Sequence, residues 1–165
     1  MSDIELLRGT QIFSKLSDEE LQAVTRCVSE RTAAAGEILI REGQPGESLF
    51  LIRKGKVVVT RSIGPRRVVL ADLGPGAVFG EMSLIDNFPT SASVTAEEPS
   101  SFLLIGRLDL NVLLTWDTVL ASKMWRSFTE MLCYRLRATN EKLLERLGGE
   151  GHHDLIATTA DIEAR

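Results

Sequence analysis

The sequence predicts a mainly β domain of the sandwich or jelly-roll type, flanked by helices and ending in one long C-terminal helix. Three observations carry this. Between about Arg31 and Ile105 the apolar residues fall in short runs separated by glycine and proline. Ahead of that stretch stands a helix-start signature, Ser17-Asp18-Glu19-Glu20. Behind it, from about Asp117 to Leu147, no glycine or proline interrupts a segment rich in Leu, Arg, Lys, Glu and Met, the composition of a continuous helix.

The elements follow in chain order. Ser17 offers an N-cap hydroxyl and Glu20, three residues on, the reciprocal carboxylate of a capping box. Leu21, Val24 and Val28 then recur at helical spacing and give that helix a face to bury, so residues 1–30 are expected to be helical. The β region, 31–106, contains the runs Ile38 to Ile40, Leu49 to Ile52, Val57 to Val59, Val68 to Leu70, Val94 to Ala96 and Phe102 to Ile105. Gly36, Gly43, Pro45-Gly46, Gly55, Gly64-Pro65, Gly74-Pro75-Gly76 and Pro99 stand between them, where turns need positive φ or a fixed proline φ. Helices are expected over 107–147. In the last of them Ala121, Trp125, Phe128, Leu132, Leu136, Thr139, Leu143 and Leu147 follow at steps of three or four, and Leu120, Met124 and Met131 widen the apolar face in the first half only. The first half is therefore expected to pack on the β-domain, and the narrower second half to offer a seam to its twin in a homodimer; the alternative is a helix folded back wholly on its own domain. Gly148-Gly149 is expected to end it, leaving 148–165 as a short flexible tail. One domain, 1–147, results.

Composition bounds the function. The 165 residues include 19 Lys and Arg, 23 Asp and Glu, a net charge of −4, 44% hydrophobic and 25% charged residues. These are globular averages, which exclude a collagen, a disordered chain and a highly basic nucleic-acid binder. Two cysteines, Cys27 and Cys133, are too few for a Cys-only metal site or a stapled secreted fold, so buried thiols in a reducing compartment are expected. No run approaches the ~18 apolar residues of a membrane helix. The N-terminus, Met1-Ser2-Asp3-Ile4-Glu5, is acidic where a signal peptide is basic. A cytoplasmic protein that does not enter a membrane is expected.

One segment carries chemistry: Gly76-Ala77-Val78-Phe79-Gly80-Glu81-Met82-Ser83-Leu84-Ile85, followed by Pro89-Thr90-Ser91-Ala92-Ser93-Val94. Gly80 lets the backbone approach a ligand closely. The N–H groups of Met82, Ser83 and Leu84 open a short helix and form an anion site. Glu81, ionised, only accepts hydrogen bonds and suits a pair of hydroxyls such as those of a ribose. Ser83, Ser91 and Ser93 add donors, although Ser91, Ser93 and Thr95 are equally the alternation of a strand's outer face.

On these residues the sequence resembles the cyclic nucleotide-binding domain family, in particular bacterial regulators of the cyclic-AMP receptor and FNR type. Phe13-Ser14-Lys15-Leu16-Ser17 with Glu20-Leu21 is similar to the family's N-terminal helix. Gly43-Gln44-Pro45-Gly46-Glu47-Ser48-Leu49-Phe50-Leu51-Ile52 with Gly55-Lys56-Val57 is similar to its first glycine-punctuated strands, and Phe79-Gly80-Glu81-Met82-Ser83-Leu84 to the start of its phosphate-binding cassette. The resemblance implies a β-roll, that is, a double-stranded β-helix or jelly roll, with a cyclic nucleotide such as cyclic AMP held between the cassette and a long C-terminal helix. It places the family glycine and ribose-binding glutamate on Gly80 and Glu81, and the backbone phosphate donors on Met82, Ser83 and the residues around Ser91 and Ala92. On the last helix Arg135-Leu136-Arg137-Ala138-Thr139-Asn140-Glu141-Lys142 resembles the stretch that reaches the purine and, across a dimer, the neighbouring site; Thr139 and Asn140 would hydrogen-bond the base.

There is one departure. Members of the family that bind cyclic nucleotides usually read Pro-Arg-x-Ala in the cassette, and here Thr90 stands at the arginine position. A lost charge-assisted bond of that kind costs about 1.5–3 kcal/mol, roughly tenfold to more than a hundredfold in affinity. Three outcomes stay open: weak cyclic-nucleotide binding, helped by one of Arg53, Lys54, Lys56, Arg61, Arg66 or Arg67, which lie in a stretch without acids between Glu47 and Asp72; an uncharged, ribose-bearing ligand such as a nucleoside; or a ligand-free scaffold for dimerisation. By itself such a basic stretch is more often a solvated hairpin face than a phosphate clamp.

Other chemistries are not expected. Family transcription factors continue into a helix-turn-helix domain, and only 148–165 follow the long helix here, so direct DNA binding is not expected; the net negative charge agrees. A cupin-like metal site needs histidines in the barrel, and the two present are His152 and His153 in the tail. No nucleophile has a base beside it, and an FNR-type iron–sulfur cluster lacks its cysteines. The expectation is therefore a regulatory module, without catalytic residues, metal or cofactor, whose output is read by a partner protein the sequence does not name.

Overall fold

A computed structural model describes residues 2–149. The N-terminal part is three short helical pieces: α1, Asp3–Arg8; a 3-10 turn, Gln11–Phe13; and α2, Asp18–Thr25. Both α-helices begin with a full capping box, Ser17 with Glu20 as the sequence predicts and Ser2 with Glu5 in addition. They bury Leu6, Leu7, Ile12, Phe13, Leu16, Leu21 and Val24. Val28, expected to continue the second helix, instead opens a strand: β1, Val28–Ala33, pairs along its whole length with the last strand, Val28 facing Ile105 and Ala33 facing Ser100. Only that long-range partner decides between the two readings of Val28.

The β region adds β2 (Ile38–Ile40), β3 (Ser48–Lys54), β4 (Val57–Ile63), β5 (Arg66–Leu73), β6 (Val78–Phe79), β7 (Ser93–Ala96) and β8 (Ser100–Gly106). They form two antiparallel four-stranded sheets in the orders β1-β8-β3-β6 and β2-β7-β4-β5, a β-roll with flanking helices as the sequence predicts. The core lies between them: Ala33, Phe50, Ile52, Phe79 and Phe102 come from the first sheet and Val57, Val94 and Ala96 from the second. Phe50 and Phe79 stack with centroids 4.8 Å apart, and Phe102 meets both edge-on at 6.1 and 5.9 Å. Offset and edge-to-face contacts of this kind add about 0.5–1.5 kcal/mol per pair to the burial itself. Because Phe79 ends β6, this cluster fixes the point from which the glycine-glutamate segment departs.

Between β6 and β7 runs a one-turn helix, α3, Met82–Asp86. After β8 come α4, Arg107–Trp116, and α5, Thr118–Gly149. They are separated at Asp117, whose carboxylate accepts the N–H of Leu120 at 2.9 Å and so starts α5 afresh. Residues up to Ser127 form one compact unit, and the helix from Phe128 onward belongs to a second. Within the first unit Leu120, Ala121 and Met124 of α5 are buried, and Lys123 reaches both carboxylate oxygens of Glu20 at 2.8 Å. The glycine pair does not end α5 where the sequence suggested. Gly148 and Gly149 are both helical, because glycine permits the left-handed cap without requiring it. Of the tail 148–165, all that follows Gly149, His152 and His153 included, lies outside the described residues.

Candidate functional site

The segment singled out by sequence leaves the core at Phe79. Gly80 has φ +82°, and a Cβ added there would stand 2.6 Å from the carbonyl oxygen of Ser48 and 3.3 Å from Ile40 Cδ1. The close approach that demands glycine is therefore to the chain's own β3. Glu81 follows as the N-cap of α3, with 3% of its surface exposed. Its carbonyl accepts the N–H groups of Leu84 at 3.1 Å and Ile85 at 3.2 Å. This corrects one expectation: of the three N–H groups read as open, Leu84's is used inside the turn, which leaves Met82 and Ser83 as the candidate donors. The Met82 side chain is half-exposed. α3 ends at Asn87, in the left-handed region at φ 58°, and Asp86 Oδ1 accepts the N–H of the exposed Phe88 at 3.0 Å.

Thr90, at the position of the family arginine, is 7% exposed and is tied to one turn on every side. Its N–H donates to the carbonyl of Gln44 at 2.9 Å, and its own carbonyl accepts the N–H of Gly43 at 2.8 Å. Its hydroxyl lies against the carbonyls of Arg41 and Gln44 and accepts the N–H of Gln44 at 3.3 Å. Ser93 continues the lacing: its hydroxyl accepts the N–H of Glu42 at 3.0 Å. Ser91 is exposed and Ala92 half-buried. Thr90 thus staples the cassette loop to the β2–β3 turn, with partners 46 and 49 residues away.

A residue that the sequence did not single out completes the frame. Arg107, first in α4, places two guanidinium nitrogens on the carbonyl of Gly46, one of them Nε at 3.0 Å, and a third on the side chain of Asn87; its backbone N–H donates to the carbonyl of Glu47 at 2.8 Å. The end of α3, the β2–β3 turn and the start of α4 are joined through this one side chain.

Three of the six basic residues in the stretch are paired with acids. Arg53 bridges Glu30, at 2.8 Å, and Asp3; Lys56 meets Glu97 at 2.8 Å and Asp72 at 3.8 Å; Arg61 lies 3.6 Å from Glu42. Lys54, Arg66 and Arg67 are exposed. The other three candidates lie in the second unit. Arg135 is half-buried, Thr139 and Asn140 are exposed, and the Thr139 hydroxyl donates to the Arg135 carbonyl at 2.8 Å. Leu136 and Leu143 of the expected seam are exposed there too. Cys27 is half-buried, with its thiol pushed up by burial and by the charge of Asp109. Cys133 is exposed rather than buried. Among the described residues no group of three or more His, Cys, Asp or Glu could hold a metal ion, and no helix is long and apolar enough to cross a membrane.

Against known proteins, the family model for the cyclic nucleotide-binding domain matches residues 30–115. The chain is 37% identical over 109 residues to a cyclic nucleotide-gated potassium channel of Mesorhizobium japonicum, covering 66% of this chain and 29% of the channel. It is 32% identical over 138 residues to the cyclic AMP receptor protein of Thermus thermophilus, covering 83% of this chain and 62% of that protein. It therefore spans less than two thirds of either relative. Among solved structures it is similar to a cyclic nucleotide-binding domain from Methylobacillus flagellatus, with a TM-score of 0.77 and 30% identity over 93% of this chain and 84% of that one.

Proposed function

Because the chain belongs to the cyclic nucleotide-binding domain family, we propose that it is a cytoplasmic regulatory module that binds a cyclic nucleotide in the segment from Gly80 to Ala92 and passes the occupancy on through its long helix. The observation that carries this is Glu81. It stands directly after the turn at Gly80, at the head of α3 and with 3% of its surface exposed, on the position that matches the family's ribose-binding glutamate. A carboxylate only accepts hydrogen bonds and suits a pair of hydroxyls such as those of a ribose. Met82 and Ser83 supply backbone N–H groups toward the phosphate end. The relatives named above are a cyclic AMP receptor and a cyclic nucleotide-gated channel, which supports a regulatory rather than a catalytic role, and we assign no catalytic residue.

Signalling requires that the ligand favour one helix position over another through contacts that differ between them. Arg135, Thr139 and Asn140 are carried on that helix. The exposed Leu136 and Leu143 belong to the seam through which two copies dimerise, leaving the displaced helix to be read by a partner protein. Free thiols at Cys27 and Cys133 fit a reducing compartment.

Titration calorimetry with cyclic AMP, cyclic GMP and their 2′-deoxy forms tests the reading. The ribose forms are expected to bind with dissociation constants between about 10 μM and about 1 mM, and removal of the 2′-hydroxyl to weaken them about tenfold or more. Equal affinity for ribose and deoxyribose forms would remove Glu81 from the site. No binding of either leaves the domain a scaffold.

A further inference from the structure

α4 is apolar on two sides, and only one of them is covered. Six of its ten residues are apolar: Leu108, Leu110, Val112, Leu113, Leu114 and Trp116. Leu110 is buried and Leu113 and Leu114 are half-buried, whereas Leu108, Val112 and Trp116, spaced by four, form one outward row. Each of the three is more than half exposed, Trp116 at 85%, and Val119 in the first turn of α5 follows at 61%. A helix apolar all round is normally a covered one, and a contiguous apolar patch of several hundred Å2 marks a contact surface. We propose that the outward row of α4 is a contact between two copies of this chain, separate from the seam at Leu136 and Leu143 and independent of the ligand reading.

The row is complementary to itself. Val112 lies midway between Leu108 and Trp116, so two rows crossing antiparallel about a two-fold axis at Val112 bring Leu108 of one copy to Trp116 of the other. That is the requirement of an isologous interface, and rows spaced by four interdigitate with their like at a crossing angle of about −50°. Charge agrees. Asp109 is the one charged residue among the exposed positions from Leu108 to Val119, and in this register it faces Thr115 of the other copy instead of a second Asp109.

Area and composition favour a second copy over a lipid surface. Leu108, Val112, Trp116 and Val119, with the exposed rim of Asp109, Asn111, Thr115 and Thr118, offer about 750 Å2, against about 800 Å2 per partner in a stable complex. An apolar centre within a polar rim is the anatomy of a protein interface. Helices that lie on membranes carry Lys and Arg along their polar face, and no exposed residue from Leu108 to Val119 is basic.

Sedimentation velocity of the full chain between about 1 μM and about 500 μM tests the contact. With both interfaces present the wild type is expected to reach the mass of four chains. Val112→Glu, and separately Leu136→Glu with Leu143→Glu, are expected to stop at two, and all three substitutions together at one. All three positions are exposed, and far-UV circular dichroism checks that each variant keeps its fold. Val112→Glu as heavy as wild type at every concentration would overturn the proposal. So would a monomeric Leu136→Glu/Leu143→Glu protein, which leaves the seam of the proposed function standing. Pairing that survives in that protein and is lost in Val112→Glu would support the α4 contact and remove the seam. Trp116 reads the unaltered row: in Trp125→Phe its emission is expected to move to the blue as concentration rises, and a constant spectrum would overturn the proposal. A wild type that lacks the contact yet sediments with phosphatidylcholine vesicles would give the row to a lipid surface, and one that does neither would give it to another protein; both results overturn it.

Discussion

Replacing Thr90 by valine isolates the staple, because valine keeps the branched shape and removes only the hydroxyl. In the native loop that hydroxyl has one proton for the carbonyls of Arg41 and Gln44, and a lone pair for the Gln44 N–H at 3.3 Å. The Gln44 carbonyl keeps a second donor, the Thr90 N–H at 2.9 Å, whereas the Arg41 carbonyl keeps only the long 3.3 Å contact from Gln44. One net hydrogen bond and part of the desolvation of one carbonyl are therefore lost, about 1–2 kcal/mol. For a chain of this size each kcal/mol moves the melting temperature by about 2–4 °C, so Thr90→Val is expected to melt about 2–8 °C lower. Calorimetric melting, with urea unfolding at constant m, measures it, and Thr90→Ser is the control. Serine keeps the hydroxyl and should lose less than half as much. A valine variant as stable as wild type would refute the staple. A serine variant as unstable as the valine one would assign the effect to the methyl group's packing.

Three further outcomes are expected. Gly80→Ala combines a φ of +82° with a Cβ 2.6 Å from the Ser48 carbonyl and should cost more than about 2 kcal/mol in urea unfolding, while Gly64→Ala, at φ +58° with open space around it, should cost about 1 kcal/mol. Burial pushes the Glu20 carboxyl up, but hydrogen bonds from Lys123 and from the Ser17 N–H outweigh it and hold the group below its ordinary value of 4.5. A carboxyl lowered in the folded state contributes stability above its unfolded pKa and loses it as pH falls through the folded one. Urea unfolding at stepped pH should therefore weaken below about 4.5, with a shallower acid limb in Lys123→Met. Arg107→Gln should cost about 1–3 kcal/mol and accelerate amide exchange around Gly46 and Asn87; protection there equal to wild type would remove Arg107 from the frame.

The parts of the fold legible in the sequence are those in which a local signal and the tertiary outcome agree. The runs at Leu49 to Ile52 and Phe102 to Ile105 pair directly, Leu51 facing Leu103 and Leu49 facing Ile105, and the capping box at Ser17 forms as written. β1 was not legible because Val28-Ser29-Glu30-Arg31-Thr32-Ala33 carries little β pattern of its own, and Val28 happens to continue the spacing of Leu21 and Val24. Its strand exists because β8 pairs with it. The long helix, expected from about Asp117, starts there with no glycine or proline to mark the break; the local signal is an aspartate three residues before Leu120, a plain N-cap. Arg107 carried no signal, since one arginine at a strand-to-helix boundary is unremarkable until the turn at Gly46 and the cap at Asn87 are brought beside it.

The same distinction separates what Gly80 and Thr90 say about ligand binding. Gly80 matches the family motif, yet its glycine is required by Ser48 of the neighbouring strand, so the match is evidence for the roll and would persist in a domain that binds nothing. Thr90 breaks the motif, and its hydroxyl is bonded into the turn from Arg41 to Gln44. Here residue 90 turns inward and its bonding capacity goes to holding two loops together. One side chain cannot both staple the turn and reach an anion. Loop order at this position is therefore gained through a side chain that carries no charge.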